Sequence, residues 1–303
     1  MDAIERGEQL MMEMENRYVS VYDAALRRAV RNTRAFLQKV KDVQSGKIKP
    51  PQFYVDRDEV DKWREGFLKE LARQLHVVEN IAAELNAAGG QAAEIIRDGL
   101  DEVYAVNRTE TVDAITAAVD RRGFAVQPTF ALMDKRAIRI AIEDAQPVFS
   151  KIAYNNLGNN VAARRRLQNT LAEALALGED QDKILRRIRR ITLQTTKQAR
   201  RVAQTELTRV RSQARYEAEQ EAVQQGVGAY NTWSTRMINS RDTHIMLNGK
   251  KAMHGDAFPG SVLRYPCDPT APAREVINCH CVLVPDVLLP GERLENGQIV
   301  GGD

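Results

Sequence analysis

The sequence predicts a mainly α-helical fold, in which a long-helix N-terminal body is followed by a small, loop-rich α+β C-terminal module. Apolar residues recur every three or four positions through most of the first 225 residues, which is the spacing of one helix face. The run from Ala229 to Ser234 alternates as a strand does, and glycine and proline become frequent after Gly249. The predicted segments are a helical domain (1–158), a basic helical connector (159–226), a small α+β module (227–285) and a flexible tail (286–303).

The composition is that of a folded globular protein, because 43% of the residues are hydrophobic and 28% are charged. The formal net charge of +3 is close to neutrality for 303 residues, so the overall charge names no partner. No run of 18 or more apolar residues occurs, and the first ten residues carry charge where a signal peptide needs an apolar segment. We therefore expect no membrane contact and a protein that is made and kept in the cytoplasm.

Two long helices are predicted at the start of the chain. Residues 2 to about 45 carry apolar groups on one face, and this amphipathic helix should end at Ser45-Gly46 because Pro50 and Pro51 follow. The chain should re-enter a helix at Asp56 or Asp58, either of which is a suitable N-cap.

The second long helix should run from Val60 to Gly89-Gly90, where the glycine pair is expected to end it. Shorter helices are predicted at about 91–106 and 109–121, and a further helix from Thr129 to about Tyr154.

The segment from Arg164 to Arg215 is strongly basic, with 14 lysines or arginines against 5 aspartates or glutamates. One long helix over about 192–225 fits its pattern. Such a run is a solvated face, a DNA phosphate contact or a contact with an acidic protein surface, and the sequence leaves these interpretations open. The candidate binding residues are Arg164, Arg165, Arg166, Arg186, Arg187, Arg189, Arg190, Arg200 and Arg201.

The C-terminal module contains all three cysteines and three of the four histidines. A Cys-x-Cys pair, a further cysteine twelve residues upstream and two histidines nearby supply enough ligands for a tetrahedral, structural zinc site, although the spacing is not that of two zinc knuckles. Buried or free thiols are the plainer interpretation. The zinc candidates are Cys267, Cys279, Cys281, His244, His254 and His280. Short strands are predicted beside the pair, at Val276-Ile277 and at 282–284.

A catalytic interpretation would use Cys279 or Cys267 as a nucleophile, with His244 or His254 as its base. The sequence contains no Walker or Rossmann phosphate loop, no nucleophile elbow and no His-Glu-x-x-His helix. We therefore predict that the protein is not an enzyme.

The order of motifs over about residues 160–285 resembles the phage Mu F-like family of phage head morphogenesis proteins. The resemblance begins with the run Val202 to Glu206, which is followed by a helix and a strand that ends at Trp233. The later motifs are Arg241 to His244, Leu247-Asn248-Gly249, Phe258, Tyr265-Pro266 and Asn278-Cys279-His280-Cys281. The family usually has arginine where this chain has His280, which makes His280 an additional candidate ligand.

The resemblance implies a structural minor head (capsid) protein of a tailed bacteriophage. Such a protein is associated with the portal vertex inside the virion head or procapsid, and it acts in head morphogenesis and in DNA packaging or ejection. The implied partners are the portal protein, the major capsid or scaffolding protein, and phage DNA. Two alternatives remain open from the sequence, a non-specific DNA-binding helical protein and a metal-dependent hydrolase that uses the cysteine and histidine cluster.

Overall fold

The structure is a computed structural model that describes residues 3–123, 161–236 and 240–302. Chain contacts divide it into two units. Unit 1 comprises the described parts of 1–16, 96–148 and 201–303, and unit 2 comprises those of 17–95 and 149–200. Both units are built from non-contiguous stretches, and the linear domain boundaries given above remain predictions.

Six long helices make up the described N-terminal part and the basic segment, which confirms the mainly α-helical prediction. They are α1 (Ala3–Asn32), α2 (Arg34–Gln44), α3 (Arg57–Gln74), α4 (Val77–Arg121), α5 (Val161–Ala176) and α6 (Gln181–Gln224). Asp56 is the N-cap residue of α3, as predicted, although its side chain makes no capping hydrogen bond. The helix predicted over 129–154 lies outside the described residues.

The single helix predicted over residues 2–45 is two helices, because the chain turns at Thr33. The Thr33 hydroxyl donates to the carbonyl of Val30 at 2.9 Å, a local bond that competes with regular helix geometry. The backbone continues almost in helical register, since Leu37 N still donates to Thr33 O at 3.0 Å. The apolar pattern persists across the turn, so periodicity alone could not locate it.

The prediction that Gly89-Gly90 ends a helix is wrong, since α4 runs through both glycines and also contains the two shorter helices predicted after them. Two interior glycines cost roughly 1 kcal/mol each relative to alanine. The apolar residues on either side, Leu85 and Ile96, are fully buried, and their packing outweighs that cost. The break lies earlier instead, at His76, whose φ of 47° is left-handed.

In unit 2, the first helices pack through buried aromatic and aliphatic side chains. The Tyr18 and Tyr22 rings lie 5.3 Å apart on α1, and both side chains are buried. Helix α3 contacts both α2 and α5. The Gln44 side-chain amide at the end of α2 donates to Glu179 O at 2.7 Å, which ties α2 to the loop between α5 and α6.

The C-terminal module contains an antiparallel sheet of order β2-β1-β3. The strands are β1 (Ala229–Ser234), β2 (Lys251–Met253) and β3 (Val282–Val287), and the short helices are α7 (Asp242–Ile245) and α8 (Ala273–Val276). Strand β1 is central, and Trp233 lies opposite Leu283 of β3. The strands predicted at 229–234 and 282–284 are confirmed, but Val276 ends a helix rather than forming a strand. The reason is that Pro272 supplies the N-cap and fixes the backbone for the helical turn that follows.

The segment predicted to be a frayed tail instead forms a hairpin of β4 (Arg293–Glu295) and β5 (Gln298–Val300). The turn between them uses Asn296 and Gly297, both at positive φ, which are the two residue types that tolerate the left-handed region most readily. The Arg122 guanidinium donates to Glu292 at 2.9 Å, which ties the segment before the hairpin to the end of α4.

Helices α4 and α6 provide the surface on which the module is held within unit 1. Ile115 and Val119 of α4 form a buried cluster with Ala222 of α6 and with Val287 at the end of β3. Gly226, with φ of 86°, ends α6 and turns the chain toward β1.

None of the helices in the described part of the chain combines the length and the apolar character that a membrane span needs.

Candidate functional site

One face of α6 holds the backbone that carries the cysteine pair. The α6 side chains that make these hydrogen bonds, at positions 205, 208, 211 and 215, are spaced by three, three and four residues, which places them in one row along the helix. They bond to a segment in which alternate carbonyls point the same way, as in a strand. The bonds are Asn278 N to Thr205 Oγ1 at 2.9 Å, Thr208 Oγ1 to Cys279 O at 3.1 Å, Arg211 to Cys281 O at 2.8 Å, and Arg215 to Leu283 O at 3.0 Å. We call these four α6 side chains the α6 ladder.

The two arginines of the α6 ladder are buried, although they belong to the basic segment. Arg211 is 3% exposed and Arg215 is 4% exposed. Burial lowers the pKa of Arg211, and burial together with the charge of Arg211 lowers the pKa of Arg215 to about 10. Glu110 compensates Arg215, with 3.4 Å between Glu110 Oε2 and the guanidinium. These arginines therefore hold the module in place and are not part of an external binding surface.

The α6 ladder holds the cysteine pair, Cys279 and Cys281, next to the buried side chain of His244. His244 Nδ1 lies 3.6 Å from Cys279 Sγ and 3.3 Å from Cys281 Sγ. Ligand atoms of these three residues all lie within 4.8 Å of one another, and all three residues are buried. His244 is presented by α7, which begins just after Arg241, and its ring packs edge-on against Trp233 at 5.5 Å.

Glu275 lies behind the imidazole. Its Oε2 atom is 3.2 Å from His244 Nε2, within ion-pair distance but in a direction poorly aligned for a hydrogen bond. The same oxygen accepts a hydrogen bond from Thr243 Oγ1 at 2.9 Å. The carboxylate is therefore placed to favour a proton on Nε2, which leaves the Nδ1 lone pair directed at the thiols.

Cys267 completes the group of sulfur atoms. It is 1% exposed and adopts a left-handed φ of 60°, and its thiol donates to Val276 O at 3.5 Å. The Cys267 thiol together with burial raises the pKa of Cys279 to about 12, and the Cys279 thiol together with burial raises the pKa of Cys281. Such thiols are poor nucleophiles near neutral pH, so this arrangement disfavours cysteine catalysis.

The other two candidate histidines have different partners. His254 Nδ1 lies 2.9 Å from Glu219 Oε2, and its ring packs on Tyr216 at 4.3 Å. His280 Nδ1 lies 3.0 Å from the Gln204 side-chain amide. Among the described residues, neither belongs to the group of potential metal ligands, which comprises His244, Cys279 and Cys281.

The nine arginines predicted to bind a partner differ in exposure. Arg164 and Arg187 are half-buried. Arg187 forms ion pairs with Glu179 at 2.7 Å and with Glu173 at 3.2 Å, and Arg164 lies 3.9 Å from Glu79. The other seven predicted residues are exposed. They are Arg165, Arg166, Arg186, Arg189, Arg190, Arg200 and Arg201. We call these seven the exposed arginine set.

Sequence reasoning missed the α6 ladder and the role of Glu275. The ladder has a sequence signal, since polar residues at 205, 208, 211 and 215 recur at helical spacing beside the small residues Ala203, Val210 and Ala214 of the same helix. Glu275 has no such signal, because its contact with His244 depends on how α7 and α8 are folded together.

Comparison with known proteins found one family match, in the C-terminal region, to a family of phage head morphogenesis proteins. That family is described as Phage Mu protein F like protein, and its model matches residues 165–284. The matched region extends from α5 through α6 into β3, and so it includes both the α6 ladder and the cysteine cluster. The resemblance predicted from the motifs is confirmed. No curated protein and no solved structure matches the chain.

Proposed function

We propose that the protein is a structural minor head protein of a tailed phage that associates with the portal vertex and acts in head morphogenesis and DNA packaging or ejection. The observation that carries the proposal is the family match over residues 165–284. The fold of this region supports a structural role, because its buried polar groups are used to hold the module on α6.

The exposed arginine set supports contact with an anionic partner. Arginine forms bidentate bonds with carboxylates and phosphates, so an acidic face of a portal ring and the DNA that passes through it are both suitable. A portal contact needs a defined arrangement of acidic groups, whereas DNA contacts go to phosphates and do not depend on sequence. The major capsid or scaffolding protein is a further candidate partner for these arginines.

Portal binding is tested with the full-length protein and the portal ring encoded by the same phage. Native mass spectrometry should detect a complex of fixed stoichiometry. A variant with Arg186, Arg189 and Arg190 changed to glutamine should bind at least tenfold more weakly. A matched control changes Arg27, Arg31 and Arg34, three exposed arginines near the start of the chain, and alters the net charge equally. The control should bind as the unchanged protein does.

A failure of the unchanged protein to bind the portal ring at micromolar concentration would overturn portal association. The competing function is non-specific DNA binding, which the exposed arginine set also favours. That function predicts duplex binding without a portal, with an affinity that falls steeply between 50 and 200 mM salt, on the order of 10³-fold if six phosphates are contacted. Measuring duplex binding of the same two triple variants separates the two functions.

The cysteine cluster argues against the hydrolase alternative. A catalytic zinc site keeps one coordination position open to water or substrate. Here the three grouped ligands are 1% exposed each, and the surrounding core consists of apolar side chains that include Trp233 and Phe258. The arrangement therefore favours a structural role for the cluster, and we propose no reaction for it.

A further inference from the structure

Three soft or borderline metal ligands, His244, Cys279 and Cys281, meet inside the apolar core of the C-terminal module, and the Cys267 thiol lies in the same buried cluster. The three cysteines are each 1% exposed and belong to one buried cluster with Trp233 and Leu263. His244, also 1% exposed, directs a ring nitrogen at two of the thiols. Free thiols are common in apolar cores, but a buried imidazole needs a partner for its ring nitrogens, and here the Nδ1 atom of His244 faces two thiols.

The distances fit tetrahedral coordination of zinc. With Zn–S of about 2.3 Å and Zn–N of about 2.05 Å, the edge from nitrogen to sulfur in a tetrahedron is about 3.6 Å. The two edges from His244 Nδ1 measure 3.6 Å to Cys279 Sγ and 3.3 Å to Cys281 Sγ. Coordination of a zinc ion would therefore require His244 Nδ1 and the two sulfur atoms to move by only a few tenths of an ångström relative to one another.

We propose that the module binds one zinc ion in a closed structural site through four buried ligands: His244 Nδ1 and the thiolates of Cys267, Cys279 and Cys281. Zinc is favoured over harder cations because sulfur and imidazole are the ligands it prefers, and because hard cations such as Mg²⁺ select oxygen. The assignment rests on the geometry of the module and is independent of the proposed head role.

Cys267 is the fourth ligand of the proposed site because it belongs to the same buried cluster as Cys279 and Cys281, although its thiol lies outside the group of three whose ligand atoms are all within 4.8 Å of one another. Its φ of 60° is uncommon for a side chain with a Cβ atom, and Asn278, directly before the pair, has a φ of 57°. Asparagine adopts this region readily, but at Cys267 the conformation is strained and persists where the surroundings require it. Because Cys267 is itself a proposed ligand, zinc coordination would offset this strain.

Two neighbouring charges complete the site. Glu275, 3.2 Å from His244 Nε2, occupies the position of the carboxylate that usually orients a zinc-bound histidine. Three thiolates, one neutral imidazole and Zn²⁺ carry a net charge of −1. The Arg211 guanidinium, 3% exposed and bonded to Cys281 O, supplies a buried compensating positive charge.

The test is the metal content of the full-length protein. The protein is expressed with zinc sulfate, passed through gel filtration, and measured by elemental analysis and native mass spectrometry. We expect one zinc per chain, and none after His244→Asn or Cys281→Ser. The matched control is His280→Asn, which changes the histidine between the two cysteines and should keep one zinc. A zinc-free unchanged protein, or loss of zinc in the control with retention in His244→Asn, overturns the site.

Two further measurements keep the test decisive if a ligand variant fails to fold. Cobalt added to the metal-free, unchanged protein should produce the absorption of tetrahedral thiolate coordination, and a spectrum of octahedral oxygen coordination would contradict the proposal. Cys267→Ser should weaken zinc binding at least tenfold, and an unchanged affinity would remove Cys267 from the ligand set. Glu275→Gln should weaken zinc binding by roughly 10–100-fold while the tetrahedral cobalt spectrum is retained.

Discussion

Replacing Arg215 with methionine should strongly destabilise unit 1, although the charge removed belongs to a segment that resembles a binding surface. The Arg215 guanidinium donates to Leu283 O at 3.0 Å and to Asn107 Oδ1 at 3.2 Å. It also lies 3.4 Å from Glu110, whose side chain is 7% exposed. Removing it leaves a buried carboxylate that loses its guanidinium partner and still accepts a hydrogen bond from Gly7 N at 2.7 Å.

Breaking one side of a buried ion pair costs about 3–5 kcal/mol, because the other charge stays buried without compensation. For a protein of this size that corresponds to a fall in the melting temperature on the order of 10 °C. The matched control is Arg190→Met on the exposed part of the same helix, which should change stability by less than about 0.5 kcal/mol. Thermal unfolding followed by circular dichroism measures both.

The pH dependence of the stability loss in Arg215→Met should show that the uncompensated Glu110 carboxylate causes this loss. Burial raises the pKa of Glu110, so the folded chain holds this proton more strongly than the unfolded chain does, and loss of Arg215 should raise this pKa further. A carboxyl group with a raised folded pKa favours folding below its unfolded pKa and loses that contribution as pH rises. The deficit of Arg215→Met should therefore shrink toward pH 4, and Glu110→Gln in the same chain should recover part of it. Equal melting temperatures for Arg215→Met and Arg190→Met would refute the reasoning.

Two other predictions concern local features of the fold. Gly90→Ala should stabilise α4 by about 0.5–1 kcal/mol, because the new Cβ meets nothing within 4 Å; Gly7→Ala should destabilise, because its Cβ would lie 2.7 Å from Asn107 Oδ1. Denaturant unfolding compares them, and a stabilising Gly7→Ala would contradict the packing. Although burial opposes it, hydrogen bonds from Arg264 and Thr270 hold the pKa of Asp268 below its ordinary value of 3.8. This stabilisation should be complete above pH 3.8 and lost as pH falls below it, so Asp268→Asn should abolish that part of the acid transition, and an unchanged transition would contradict the assignment.

The helical character of the chain could be predicted from the sequence, but the points where helices break could not. Thr33 interrupts a continuous apolar face, whereas α4 passes through Gly89 and Gly90, which carry a strong local stop signal. In the second case the outcome depends on the burial of Leu85 and Ile96 against other parts of the chain. A local preference of about 1 kcal/mol per residue is smaller than the contribution from burying one large apolar side chain.

The candidate site was predictable in residue type but not in arrangement. Cysteine and histidine spacing identified a set of six possible ligands, and tertiary packing brings His244 to the thiols while His254 contacts Glu219 instead. His280 alternates to the other side of its extended segment and contacts Gln204, which its neighbours in sequence do not indicate. Likewise, the local excess of lysine and arginine identified the basic segment without separating the buried Arg211 from the exposed Arg190.

The association of this chain with a phage head is tested most directly by quantitative mass spectrometry of procapsids and virions purified from the phage that encodes it. The account predicts that the full-length chain copurifies with both particles in a small, fixed ratio to the portal protein. It also predicts that particles made without the portal lack the chain. Absence of the chain from purified particles, together with its recovery free in the infected-cell extract, would contradict a structural role in the head.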